Sequence, residues 1–312
     1  MATYFALLPH RSVIAVSDAD RVEFLQGLIS NDTTKVSPGH AIWAALLTPQ
    51  GRFLNDMFVA NGGHETLLLE TERERAPALA KKLTMYTLRS KVKVEDRAAS
   101  MEVAVVFGDE AAKALGIEHA TSFADPRLPE LGMRVLARAG EAAALLGSHG
   151  FVPADSADYD ALRLSLGVPD GSRDLPVEKA LLLESGFDEL NGVDWKKGCY
   201  MGQELTARTK YRGLVKKRLF PVRLDGPLPA PGTLIERDGQ EAVSYTHLTL
   251  PTISGRVVNG FGLISFMACL PSLLQCKNGT LCSREAGGKG TNCPGLPEPS
   301  RPVGKPSVSM AQ

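Results

Sequence analysis

The segment 191–209 holds the most distinctive reactive side chain of the sequence. Cys199 is the only cysteine among the first 242 residues, Lys196 and Lys197 precede it, and a glycine lies on either side of it. Residues 203–208 have the pattern of the first turns of a helix. Because a thiol near a helix N-terminus and near ammonium groups is stabilised as the thiolate, we expect Cys199 to be reactive. The alternative is a cysteine packed inside a tight loop.

Signatures of several other chemistries are missing from the sequence. The histidines are scattered without the spacing of a zinc hydrolase. No GxGxxG follows a strand-like segment, and neither GxxxxGKS/T nor GxSxG occurs. We therefore predict no metal site, no Rossmann or P-loop phosphate site and no Ser/His/Asp triad.

The composition is typical of a soluble globular protein of about two domains. The chain has 312 residues, of which 44% are hydrophobic and 22% charged, and Lys+Arg and Asp+Glu both total 35. With no net charge, no global field attracts nucleic acid or a membrane surface, so we expect no direct DNA binding. We find neither a secretory start nor a clean run of about 20 apolar residues. These features predict a cytoplasmic protein that does not cross a membrane.

Short strands, hairpin turns and helices must position the thiol. Residues 42–47 and 53–60 are apolar runs on either side of Thr48-Pro-Gln-Gly51, whose proline and glycine favour a hairpin turn. Strand patterns also occur at residues 12–16 and 101–107. Helical patterns occur at residues 72–86, 110–115, 140–146 and 156–165. Because the strands do not alternate strictly with crossover helices, the pattern predicts an α+β fold with antiparallel hairpins.

The sequence changes character near residue 243. Residues 219–224 and 233–235 have strand patterns that are typical of the opening of a small β-domain. The stretch Val243-Ser-Tyr-Thr-His-Leu-Thr-Leu-Pro-Thr252 then resembles the translated end of a transposase sequencing adapter. Four of the five cysteines follow it, in a tail that has no CxxC spacing. We therefore predict that residues 243–312 are an adapter or assembly artefact and form no domain.

The cysteine segment also carries a family resemblance. Lys197-Gly-Cys-Tyr-Met-Gly-Gln-Glu204 is similar to the signature of the YgfZ family, the folate-binding relatives of the glycine-cleavage T-protein (GcvT, an aminomethyltransferase). The resemblance spans about residues 5–242. Other stretches that resemble family positions are Phe24–Asp32, Leu47–Arg52, Tyr86–Val92, Asp125–Arg127, Leu162–Gly167 and Leu183–Glu184.

The resemblance implies a T-protein-like fold with interleaved α/β domains around a central folate cavity and a C-terminal β-barrel. Residues 1–215 would then form the folate-binding GcvT-like α+β region. Residues 216–242 would be the start of the barrel, which the change at residue 243 leaves incomplete. An incomplete barrel would expose unpaired strand edges.

The function that the resemblance implies is a tetrahydrofolate-binding accessory protein for 4Fe–4S cluster assembly or repair, which indirectly supports tRNA-thiolating enzymes. Its partners would be folate and iron–sulfur proteins or their assembly machinery. The cysteine signature favours a non-enzymatic factor. The alternative is a tetrahydrofolate-dependent aminomethyltransferase of the glycine-cleavage type, in which Asp56 would act as the acid or orienting group.

The same resemblance assigns the candidate site residues. Cys199 and Asp56 are the candidate catalytic residues, since Asp56 falls on the position of a T-protein carboxylate that contacts folate and substrate. Asp56 or Glu184 would face the pterin, and Arg208 is one of the cations that would meet the glutamate carboxylates. The candidate folate-binding residues are Asp56, Glu184, Lys197, Gly198, Gln203, Glu204 and Arg208. The alternatives are a strand-end carboxylate for Asp56 and a buried ion-pair partner for Glu184.

Overall fold

The computed structural model describes residues 2–215, 217–225, 234–237, 240–248, 260–267, 274–277 and 280–283. The α-helices in this part of the chain are α1 (Arg21–Gln26), α2 (Ala76–Tyr86), α3 (Ala142–Ser148), α4 (Ser156–Ser165) and α5 (Gln203–Tyr211). The helix predicted over residues 110–115 is only a 3-10 turn, Ala111–Ala114. None of the described helices is long and apolar enough to span a bilayer.

Ten strands form two five-stranded sheets among the described residues. Sheet 1 has the order β3-β4-β5-β2-β6, and sheet 2 has the order β10-β1-β7-β9-β8. The strands are β1 (Tyr4–Leu7), β2 (Arg11–Ser17), β3 (Ile42–Leu47), β4 (Phe53–Gly63), β5 (Thr66–Glu72), β6 (Lys93–Asp96), β7 (Met101–Phe107), β8 (Thr121–Ala124), β9 (Met133–Arg138) and β10 (Val152–Pro153). All pairings in sheet 1 are antiparallel, which confirms the predicted α+β class.

The predicted hairpin joins β3 to β4. Thr48 N–H donates to Arg52 O (2.8 Å), and Gly51 takes a φ of +82°, a backbone conformation that glycine adopts without strain. Ala45 lies opposite Asp56 in the register of the two strands. Every residue of β3 is buried, because sheet 1 is covered on both faces. One face packs on α1 and α2, and the other meets the main core cluster that both sheets share.

A β-barrel follows α5 in the chain. Its described strands are β11 (Lys217–Asp225), β12 (Leu234–Arg237), β13 (Gln240–Leu248), β14 (Gly260–Met267), β15 (Leu274–Lys277) and β16 (Thr280–Ser283). They close in the order β11-β14-β13-β12-β16-β15, and β15 returns to pair in parallel with β11.

The described strands thus close a ring where the sequence predicted an incomplete barrel. The difference arises because β14, β15 and β16 come from beyond residue 242 and pair with the earlier strands. Much of the segment 243–312 lies outside the described residues. Its assignment to adapter sequence stays a prediction.

A buried chain of charges joins the two sheets. Arg134 of β9 donates through Nη1 to Glu70 Oε1 of β5, and Arg11 of β2 donates through Nε to the same oxygen (3.0 Å). On the sheet 2 side, Asp125 Oδ2 accepts from Arg134 Nε (3.0 Å) and from Arg127 Nη2 (2.8 Å). All five side chains are buried. Charges removed from water at this depth require such partners, so the network specifies how the sheets meet.

The network continues into the segment after α4. Arg11 Nη1 donates to Asp170 Oδ1 (2.8 Å), which ties that segment to sheet 1. Arg163 of α4 donates to Asp160 Oδ1 (2.5 Å) and to Asp174 Oδ2 (2.6 Å). The buried charges therefore connect both sheets and α4 within one interior.

We expect Asp125→Asn to lower stability in a pH-dependent way. Burial alone would raise the pKa of the Asp125 carboxyl, but Arg127 and Arg134 outweigh it and lower the pKa to about 2 from 3.8. A lowered carboxyl pKa gives stability that is present above pH 4 and is lost as pH falls toward 2. The expected cost of the substitution at pH 7 is about 3–5 kcal/mol, because two guanidinium groups lose a buried partner.

Urea unfolding at a series of pH values measures this effect. The gap in the free energy of unfolding between wild type and Asp125→Asn should narrow by about 2 kcal/mol between pH 4 and pH 2. The pKa shift sets the size of this change. Glu118→Gln, at an exposed carboxylate, is the control and should leave the stability at pH 7 unchanged. A gap that stays constant with pH would contradict the role of Asp125.

Candidate functional site

Cys199 lies on a loop that leads from the core to the N-terminus of α5. Asp194 N–H donates to Ser30 O (3.1 Å), and Met201 N–H donates to Gly27 O (3.0 Å). The loop between these two bonds therefore runs beside the segment that follows α1. Cys199 itself is exposed and is a free cysteine. The alternative of a packed cysteine is contradicted, and the thiol is accessible to a partner.

Lys197 anchors this loop. Its Nζ donates to three backbone carbonyl oxygens, those of Gln26 (2.8 Å), Ile29 (2.6 Å) and Asn31 (2.9 Å). An ammonium group has three N–H donors, so this set of acceptors uses all of them. Burial lowers the pKa of Lys197 to about 8, although Asp32 and Asp194 oppose the shift. Lys197, predicted to stabilise the thiolate and to bind the cofactor, instead donates to the protein's own backbone.

The carboxylate of Asp194 shapes the first turn of the loop. Its Oδ1 accepts from the backbone N–H groups of Lys196 (2.6 Å) and Lys197 (3.0 Å), and its Oδ2 pairs with Lys35. Burial would raise the pKa of the Asp194 carboxyl, but the hydrogen bond from Lys35 and the two backbone donors lower it. The loop is therefore fixed at its start by charge-assisted hydrogen bonds.

Two glycines let α5 approach the β3–β4 hairpin. Gly202 precedes α5 with a φ of +80°, and a Cβ at that position would lie 2.4 Å from Thr48 O. A Cβ at Gly51 would lie 2.7 Å from Leu205 Cβ. Both contacts exclude a side chain, so the hairpin turn and the start of α5 are in direct backbone contact. Gly198, in contrast, has open space around it.

The structure places Asp56 deep in the core. Its carboxylate is 1% exposed, and it accepts from Trp43 Nε1 (3.2 Å) and Arg11 Nη1 (3.4 Å). The Trp43 ring stacks on Phe187 with ring centroids 3.9 Å apart, and both rings are fully buried. A Cβ at Gly171 would lie 3.1 Å from Asp56 Oδ1. The carboxylate assigned to the pterin is thus covered by the protein's own side chains.

The other predicted folate residues lie in different surroundings. Glu184 is half-buried on the 3-10 helix Leu182–Ser185. Gln203 Oε1 accepts from the backbone N–H of Tyr200 (3.2 Å), which caps the Cys199 loop. Glu204 and Arg208 pair with each other across one turn of α5 (3.0 Å). The structure brings Lys197 and Gln203 together around the thiol loop, whereas Asp56 belongs to the buried charge network.

An open cleft of about 610 Å³ lies between the two sheets at the end of the β4–β5 hairpin. Leu68 and Leu136 contribute to its floor, and His64, His119 and Arg138 stand at its edge. None of the predicted folate-binding residues lines this cleft. The predicted site and this open cavity are therefore separate features of the fold.

The sequence did not indicate which side chains meet to close the interior. Trp43 and Phe187 come from segments far apart in the chain, and Gly192 permits their contact because a Cβ there would lie 2.5 Å from Phe187 Cδ1. Spacing along the sequence carries no signal for such a pair. The stretch Asp125-Pro-Arg127 did carry a signal as a family position, but its role in joining the sheets is visible only in three dimensions.

We expect Lys197→Met to loosen the Cys199 loop and to lower stability by about 1–3 kcal/mol, because three carbonyl groups lose a charged donor. Lys196→Met, at the exposed neighbouring lysine, is the matched control and should stay within about 0.5 kcal/mol of wild type. Thermal unfolding and amide hydrogen exchange at Tyr200 and Met201 measure the two effects. Equal stability and equal hydrogen exchange of the two variants would show that Lys197 does not anchor the loop.

Comparison with known proteins finds relatives of the barrel and of most of the chain. Residues 216–247 match the family described as "CAF17, C-terminal beta-barrel domain". The chain is 38% identical over 283 residues to the mitochondrial iron–sulfur cluster assembly factor IBA57 of Mus musculus, covering 80% of this chain and 78% of that protein. It is 36% identical over 256 residues to the Homo sapiens protein of the same name, covering 75% and 71%.

A homologue of IBA57 from Mycosarcoma maydis is 37% identical over 229 residues, which cover 70% of this chain. This chain spans 56% of the length of that relative. All three relatives are described as mitochondrial. The prediction of a cytoplasmic protein is therefore wrong, because it relied on the charge pattern and apolar runs of the chain, which do not distinguish the compartments of soluble proteins.

The fold itself is similar to a solved structure of the glycine cleavage system aminomethyltransferase T from Bartonella henselae. The TM-score is 0.67 at 16% sequence identity, and the match covers 85% of this chain and 78% of that one. This likeness confirms the predicted GcvT-like fold. The sequence relatives carry the name IBA57, and the signature around Cys199 resembles that of the related YgfZ proteins. At 38% identity over most of the length of the mouse protein, the chain belongs to the family of the iron–sulfur cluster assembly factor IBA57.

Proposed function

We propose that this protein is an accessory factor in the assembly or repair of 4Fe–4S clusters and that the sulfur of Cys199 is its functional group. The observation that carries the proposal is the geometry of the loop. Cys199 is exposed, while the residues on both sides of it are fixed to the core through Lys197 and Met201. A thiol held in this way meets a partner protein without a prior rearrangement of the chain.

The sulfur of Cys199 has the chemistry that this role needs. Thiolates are soft ligands that bind iron in iron–sulfur clusters, and a 4Fe–4S cluster takes four of them. Cys199 supplies one such ligand, or one thiol for exchange with a partner disulfide. The remaining ligands would come from the protein that delivers or receives the cluster. We therefore propose iron–sulfur proteins or their assembly machinery as partners. Thiolation enzymes that modify tRNA and depend on such clusters would benefit indirectly.

We expect Cys199→Ser to abolish the activity of a 4Fe–4S dehydratase in cells that lack the natural gene, because serine removes the soft ligand and the nucleophile. The side chain is exposed, so the free energy of unfolding of Cys199→Ser should match that of wild type within about 0.5 kcal/mol. The control is Lys196→Met, which lies in the same loop and should restore the dehydratase in full. Full restoration by Cys199→Ser would remove the thiol from the mechanism.

Tetrahydrofolate binding is a second and separable part of the proposal. What supports it is the GcvT-like fold and the position of Asp56 on β4. The residues around Asp56 do not offer an open place for the ligand, since Trp43 fills the space beside the carboxylate and donates its indole N–H to it. A pterin would have to displace Trp43 to reach Asp56. The same burial gives no support to the aminomethyltransferase alternative, which would require Asp56 to meet the substrate.

We expect Trp43→Ala to bind tetrahydrofolate at least about tenfold more tightly than wild type, because the substitution opens the slot beside Asp56; tenfold corresponds to about 1.4 kcal/mol. Isothermal titration measures both affinities, and circular dichroism checks that the variant is folded, since removal of a buried Trp costs about 3–5 kcal/mol. Trp195→Ala, at the half-buried tryptophan, is the control. Equal affinity of wild type and Trp43→Ala would mean that folate does not use this slot.

A further inference from the structure

The C-terminal end of α2 exposes three large apolar side chains within four residues. Met85 is 65% exposed, Tyr86 is 40% exposed and Leu88 is 90% exposed. Single exposed apolar residues are common on protein surfaces. A cluster of them is a candidate site of contact with another molecule.

This cluster is continuous with the Cys199 loop. Tyr86 Oη donates to Met201 Sδ (3.6 Å), and Met201 follows the thiol by two residues. The turn after α2 is held in place because Lys91 N–H donates to Asp20 Oδ2 (2.7 Å) at the start of α1. The exposed apolar side chains and the thiol thus lie on the same rigid framework, formed by α1, the end of α2 and the loop before α5.

The charged residues of the segment that carries the cluster have one sign. Residues 76–93 contain no Asp or Glu. Their cations are Lys81, Lys82, Arg89, Lys91 and Lys93. Lys93 pairs with Glu95 (3.0 Å), whereas Lys81, Arg89 and Lys91 are exposed and form no salt bridge within the described residues. A protein of zero formal net charge thus concentrates unpaired positive charge beside its exposed apolar residues.

We propose that the surface formed by Met85, Tyr86, Leu88, Arg89 and Lys91, the docking surface, binds a partner protein whose contact area is apolar in the centre and acidic around it. The inference rests on the proposed function, since the docked protein is the one that presents its cluster or disulfide to Cys199. Leu88 supplies the apolar anchor at the centre of the contact. The cations accelerate encounter with an acidic partner and exclude basic ones.

An acidic protein fits this surface better than an anionic membrane does. The thiol beside the docking surface binds iron or exchanges with a disulfide, and proteins supply these groups whereas lipid headgroups do not. The three apolar side chains also lie on one short turn, which matches a pocket in a protein surface. The charge and the chemistry therefore indicate the same class of partner.

The test begins with the intact chain in cells. A photo-reactive benzoyl-phenylalanine is placed at Leu88, and at Val152 on the exposed edge of sheet 2 as the control. We expect a cross-linked acidic protein from the iron–sulfur machinery at Leu88 and none at Val152. The absence of an adduct at Leu88, or the same adduct at both positions, would overturn the proposal.

The cross-linked protein is then purified and titrated with variants of the full chain. Leu88→Asp and Arg89→Glu should each weaken binding at least about tenfold, and Val152→Asp should not. Binding to wild type should also weaken as salt rises from 50 to 300 mM, because charges steer the encounter. Unchanged affinity for Leu88→Asp would overturn the docking surface. So would binding of wild type, but not Leu88→Asp, to vesicles of phosphatidylcholine and phosphatidylglycerol in the absence of a protein adduct.

Failure of this inference and failure of the proposed function give different results. If Cys199→Ser restores cluster-enzyme activity in full, the proposed function fails whatever Leu88 binds. If Cys199→Ser is inactive while Leu88→Asp is fully active and binds normally, the thiol keeps its role and the docking surface is wrong. Loss of activity in both variants, with partner binding lost only in Leu88→Asp, supports both.

Discussion

One buried guanidinium, that of Arg134, holds the two sheets of this protein together. It reaches from β9 to Glu70 on β5 and also to Asp125 beside its own sheet. The guanidinium carbon of Arg134 lies 3.8 Å from the centroid of the Phe58 ring, which adds a cation–π interaction across the same interface. Buried charges of this kind contribute less to net stability than to specificity, because any other arrangement of the sheets leaves them unpaired. The network therefore favours one arrangement of the two sheets.

Backbone groups of the core hold the Cys199 loop in place. The β3–β4 hairpin and the start of α5 meet at Gly51 and Gly202, and the carbonyl groups after α1 receive the three N–H donors of Lys197. The loop between them has little freedom even though Cys199 is exposed. This combination suits a protein that offers a single sulfur to a partner, since the ordering entropy is already spent in folding.

The likeness to an aminomethyltransferase is a likeness of fold, and function resides in the site. In this chain Asp56 is buried beside Trp43, whose ring stacks on Phe187, whereas Cys199 is exposed. The exposed thiol lies apart from this carboxylate, on the loop that runs beside the segment after α1.

The amino-acid pattern predicted the α+β class, the β3–β4 hairpin and helix α4, and it singled out the segment around Cys199, because these depend on local periodicity, turn chemistry and a contiguous signature. The helix predicted at residues 110–115 is a 3-10 turn in the structure, because helix propensity alone does not determine the form of so short an element. Only the tertiary structure decided that Asp56 is buried, that Lys197 binds backbone carbonyls and that Arg134 joins the sheets. The partners in these contacts are separated by 13 to 171 residues along the chain, and no spacing rule along a sequence reports such distances.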